Sequence, residues 1–164
     1  MQTRWIRFLA SIPVMVAAVF LIACGGDDNA DGHMAEPGVV QPKPADATQM
    51  NVTLREWSVA PAQPSVRAGK VYFLVENLGP EHPHEMVVIR SEAGPLDLPF
   101  ENNKVPEAQI NVLDEIAEFE PHSSVSLTLE LAPGRYLLIC NITEEDRAIG
   151  SHYKKGMVGI LTVE

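Results

Sequence analysis

The sequence predicts an all-β sandwich, and three observations carry that prediction. Between residues 49 and 164, six or seven short runs are rich in β-branched and aromatic residues, and several of them alternate with a period of two. Gly and Pro punctuate the runs. No stretch sustains a helical period, which leaves sheet packed on sheet as the architecture.

Residues 50–59, MNVTLREWSV, place Val52 and Leu54 on one face, with Trp57 out of phase, and the chain stops at Pro61. VRAGKVYFLVENLG turns at Ala68 and Gly69, alternates Val71, Phe73 and Val75 with Tyr72, Leu74 and Glu76, and ends at Asn77-Leu78-Gly79. HEMVVIR, from His84, is a third run. Residues 91–121 are less regular, with Val105, Ile110, Val112, Leu113, Ile116 and Phe119 at mixed spacing. One short helix is expected around residues 106–111, since Pro106 suits a first helical turn. SVSLTLEL points Val125, Leu127, Leu129 and Leu131 inward; after an APG turn, RYLLIC runs into Cys140 and MVGILTV continues from Met157.

The residues ahead of this domain read differently. Residues 1–23 have a basic start (Arg4, Arg7) and an apolar run interrupted by Pro13, too short for the roughly 20 residues of a spanning helix. They are read as a signal peptide. The end of the run, LIAC before GGDD, resembles the bacterial lipobox. That resemblance implies a lipoprotein, exported (periplasmic or at the cell surface) and anchored to the membrane by lipid on Cys24. Residues 24–48, rich in Gly, Pro, Asp and Ala, are read as a flexible tether.

Charge and cysteine usage narrow the function. Residues 49–164 carry nine Lys and Arg against seventeen Asp and Glu, a net charge of −8. This excludes a generic nucleic-acid binder, which presents a basic face. The chain has two Cys; with Cys24 assigned to lipid, Cys140 stands alone in an exported protein, where an unpaired thiol calls for a reason. The neighbouring residues supply that reason. CNITEEDRAIGSHYKKGM carries the Cys140 thiol, the His152 imidazole and the Met157 thioether on one loop between two strands. A thiolate and two imidazoles in a trigonal arrangement with a weak axial thioether define a blue-copper site. Two histidines are available as the fourth ligand. His84 enters a strand with a fixed direction and is favoured over His82, which lies in the preceding loop before Pro83.

These segments together resemble the cupredoxins, the plastocyanin and azurin class of blue copper proteins. VENLGPEHPHEMVVI is similar to their Asn-x-Gly followed by a His-bearing strand start. LAPGRYLLICN is similar to the turn and strand that lead to their ligand Cys, and HYKKGMVGILTV to their His, Gly-Met and terminal strand. The resemblance implies a Greek-key β-sandwich, one copper ion cycling between Cu(I) and Cu(II), and single-electron transport between redox-protein partners, a donor and an acceptor. It implies His84, Cys140, His152 and Met157 as the metal ligands. Glu85 and Asn141 are candidates for tying the ligand loops together. The sequence departs from the family at one place: eleven residues separate Cys140 from His152 where a few are usual, and the charged insertion, including Glu144 to Asp146, is expected to bulge into solvent. His152, on that loop, is the expected electron port.

No Ser/His/Asp set, paired-carboxylate motif, phosphate loop or zinc spacing is present, so no enzyme activity is expected. Two further readings use the same residues differently: copper binding, buffering or delivery in the cell envelope, and a metal-free sandwich that acts as an interaction module.

Overall fold

A computed structural model describes residues 39–144 and 150–164. The signal peptide, Cys24 and residues 25–38 of the expected tether lie outside the described residues.

The strands are β1 (Thr48–Arg55), β2 (Ser58–Pro61), β3 (Ser65–Val66), β4 (Gly69–Asn77), β5 (His84–Arg90), β6 (Val112–Phe119), β7 (Ser124–Leu131), β8 (Gly134–Ile139) and β9 (Val158–Val163). They form two sheets, ordered β2-β1-β4-β7 and β3-β9-β8-β5-β6. The β1–β4 and β3–β9 pairs are parallel and the remaining pairs antiparallel. Among the described residues, no helix is long and apolar enough to cross a membrane.

Most of the expected strands are present, with three refinements. The run over residues 50–59 is a hairpin, in which Arg55 pairs with Ser58 and Trp57 sits in the turn; this is why its side chain falls out of phase. The helix expected over residues 106–111 is a single 3-10 turn, Glu107–Gln109, with Pro106 as its N-cap. Strand β6 was not expected. It lies at a sheet edge, and its register against β5 shifts twice, so its buried residues, Ile116 and Phe119, are three apart and hide the period of two.

Strands β5 and β8 read as unbroken apolar runs because both faces of their sheet are covered. Met86 and Val88 of β5, with Tyr136 and Leu138 of β8, point between the sheets. There they meet Phe73, Val75, Ile116, Val125 and Leu161. The alternate residues Val87, Ile89, Leu137 and Ile139 pack outward under Leu98, Phe100, Val105 and Tyr153. This phase decides the position of the chemistry. Cys140 continues the inward face of Tyr136 and Leu138, and His84 opens the inward face of β5.

The far side of the other sheet is also partly covered. Residues 39–47, counted with the tether in the sequence reading, are fastened to it. The Ser126 amide donates to the Val39 carbonyl (3.2 Å), the Gln41 amide donates to Ser126 Oγ (2.7 Å), and the Tyr72 hydroxyl donates to the Gln41 carbonyl (2.8 Å). Ala47 is buried, and Lys70 pairs with Asp46 at 2.7 Å.

Candidate metal centre

Antiparallel pairing within one sheet brings the end of β8 and the start of β5 side by side, and the loop into β9 closes over them. The base of this loop is zipped. The His152 amide donates to the Ile142 carbonyl (3.0 Å) and the Glu144 amide donates to the Gly150 carbonyl (3.0 Å), with a bridge between Thr143 and Ser151. The long spacing therefore does not leave His152 loosely held; the tip of the insertion, residues 145–149, lies outside the described residues. A tight turn then carries the chain from His152 to Met157, and Gly156 adopts a φ of +110°, a conformation that glycine takes at little cost. The Met157 amide donates to the His152 carbonyl (3.1 Å) and the Cys140 amide donates to the Met157 carbonyl (3.1 Å). Main-chain bonds thus tie all three loop residues to one another.

Three donor atoms converge. His84 Nδ1 and His152 Nδ1 lie 3.3 Å apart, Cys140 Sγ is 3.3 Å from His152 Nδ1, and it is 3.9 Å from His84 Nδ1. All three residues are fully buried, and among the described residues they are the group of this kind able to hold a metal ion. Met157 is fully buried, and its main chain bonds to those of Cys140 and His152. His82 is not in the group. Its Nδ1 lies 2.8 Å from Glu144 Oε1, and its ring packs against Trp57 at 5.3 Å.

Glu85 and Asn141 join the segments that carry His84 and Cys140. The Glu85 amide donates to Cys140 Sγ (3.5 Å), and Glu85 Oε1 accepts from the Asn141 amide (2.7 Å). The Asn141 side chain in turn accepts from the Val105 amide (2.8 Å) and donates to the Val105 carbonyl (2.9 Å) and Glu107 Oε1 (2.8 Å).

Burial governs the protonation of the cluster. It holds His84 down to about 4, with nearby His152 adding to the effect, and it lowers His152 as well. Both imidazoles are therefore neutral near pH 7 and keep a lone pair for a ligand. Burial pushes the Cys140 thiol up to about 12. A dry thiolate needs a cation beside it, so metal binding here must release the thiol proton. The donor set fits a single ion: donors about 2.0–2.3 Å from one trigonal centre lie about 3.5 Å apart, close to the observed spacings. Two nitrogens and one sulfur also suit the borderline-soft metals.

The surroundings of the histidines differ from the sequence reading in two respects. His152 is fully buried, so its ring edge is not an open port. Trp57 lies against it at 4.8 Å, and Glu144 Oε1 sits 3.0 Å from its Nε2. Glu144, read as part of a solvated acidic run, is therefore a neighbour of the centre, as are Glu56 and Trp57. Glu144 lies inside the ligand loop and Trp57 broke the strand phase; those were the available signals.

The fold has solved counterparts. Over 72% of this chain and 98% of the other, the structure aligns with dithionite-reduced auracyanin from the photosynthetic bacterium Roseiflexus castenholzii, at 19% identity and a TM-score of 0.51. Auracyanin A, a "blue" copper protein from the green thermophilic photosynthetic bacterium Chloroflexus aurantiacus, aligns over 72% of this chain and 99% of its own, at 19% identity and a TM-score of 0.50. No family model matches the sequence, and no curated protein matches it significantly. The chain has the cupredoxin fold.

Proposed function

We propose that this protein is a blue copper protein that carries single electrons between extracytoplasmic redox partners. The observation that carries the reading is the buried convergence of His84 Nδ1, Cys140 Sγ and His152 Nδ1 at one end of a cupredoxin-fold sandwich. His84 and His152 would supply the two imidazoles, Cys140 the thiolate, and Met157, from the same turn, a thioether. A copper ion held there supplies one-electron exchange between Cu(II) and Cu(I). The sandwich and the zipped loop keep the donors in one arrangement, which suits transfer with little rearrangement. The protein turns over no substrate of its own. Full burial of all three donors favours a retained electron carrier over a site that exchanges copper with the envelope. Residues 1–24 support export and a lipid anchor on Cys24.

The test is addition of Cu(II) to the purified protein. An intense visible thiolate-to-copper band is expected, and Cys140→Ser abolishes it. A colourless protein that leaves Cu(II) free would overturn the reading.

A further inference from the structure

An imidazole that binds a metal through Nδ1 carries its proton on Nε2, and in a dry site that N–H needs an acceptor. Both histidines turn Nδ1 toward the donor cluster. Behind His152, Nε2 meets Glu144 Oε1 at 3.0 Å. The same oxygen lies 2.8 Å from His82 Nδ1, so His82 holds the carboxylate in place. Behind His84, Nε2 is buried and has no hydrogen-bond partner among the described residues; the acceptor facing it is Glu56 Oε1, at 3.8 Å. Glu56 is held by the amides of His82 (2.8 Å) and Glu81 (3.3 Å), and its Oε2 is also buried without a partner among the described residues.

The chain makes room for this second carboxylate. A Cβ at Gly79 would lie 2.7 and 2.8 Å from the two Glu56 oxygens, so any larger residue there displaces the acid. Trp57 packs against the histidines, with its ring 4.8 Å from His152, 6.4 Å from His84 and 5.3 Å from His82. Both carboxylates are partly buried, and there a carboxylate acts on its neighbours more strongly than in bulk water.

We infer that Glu144 and Glu56 are positioning residues: each backs the outer nitrogen of one ligand histidine and biases the centre toward the more highly charged state of the bound metal. The inference rests on the copper reading above. A carboxylate behind an imidazole fixes the tautomer that presents Nδ1 and strengthens it as a donor. Its negative charge favours Cu(II) over Cu(I). The amides of His82 and Glu81 hold the Glu56 carboxylate where it faces His84.

The experiment compares the purified wild type with Glu144→Gln and Glu56→Gln. Affinities for Cu(II) and Cu(I) are measured separately by chelator competition, and the visible band is recorded for each protein. Gln keeps an acceptor but removes the charge. Each variant is expected to keep the band and to lose about 10–100-fold in Cu(II) affinity, with Cu(I) affinity nearly unchanged. Each tenfold change in that ratio raises a one-electron potential by about 59 mV. Glu144→Asp, which retains the charge, is expected to stay closer to wild type than Gln. Unchanged ratios, or equal losses in both oxidation states, with the band present in every variant, would overturn the inference alone. Absence of the band in wild type would remove the copper reading and the inference with it.

Discussion

Glu85 stabilises the ligand loops geometrically but destabilises the metal-free fold electrostatically, and Glu85→Gln separates the two. Burial is the main reason that its carboxyl is raised from 4.5 to about 7; Glu107, Glu115 and Glu118 add to the shift, while the Asn141 amide opposes it. Between pH 4.5 and 7 the unfolded chain gives up this proton while the folded protein keeps it. Stability is therefore lost as pH rises through that window. At about 1.4 kcal/mol per pH unit the full difference is worth about 3 kcal/mol, and the partial exposure of Glu85 brings the expected loss to about 2 kcal/mol. Gln retains the oxygen that accepts from the Asn141 amide. The measurement is urea unfolding of metal-free wild type and variant from pH 4 to pH 8. His84 contributes a slope of opposite sign: held down to about 4, it makes the fold lose stability as pH falls from 6.5 toward 4. Both proteins share that slope, so the difference between their curves isolates Glu85. The variant should match wild type near pH 4 and exceed it by about 2 kcal/mol at pH 8. Parallel curves, or a variant weaker at pH 8, would refute the reasoning.

Asn141→Ala removes the partners of the Val105 amide and carbonyl; unfolding titration should show a loss of about 2–4 kcal/mol from two stranded backbone groups. Met157→Leu conserves volume at a fully buried position, so stability should change by less than about 1.5 kcal/mol. Cyclic voltammetry of its copper form should show a higher potential, because the leucine side chain makes the surroundings more apolar and so favours the less charged Cu(I).

Strands β4 and β7 were legible from period-two alternation, and β5, β8 and β9 from β-branched and apolar runs, because these patterns and the Gly/Pro boundaries are local properties of the chain. Strand entry favoured His84 over His82. Other features depend on contacts that are remote in sequence. The fastening of residues 39–47 uses Tyr72 and Ser126, which sit on the outward phase of their strands. Strand β6 hides its alternation behind register shifts. Glu56, Glu144 and Trp57 lie in turns and loops with no periodicity, and they meet the histidines only once both sheets are packed. The zipped base of the loop was equally hidden, since the pairing of residues 142–144 with 150–152 obeys no hydrophobic pattern.

The central claim is that one metal ion sits among His84, Cys140 and His152. X-ray absorption of the copper-loaded protein tests it most directly, because the nearest shell reports the donor atoms themselves. One short sulfur scatterer with two imidazole nitrogens is expected, with loss of the sulfur in Cys140→Ser. A shell of nitrogen and oxygen alone in the wild-type protein would contradict it.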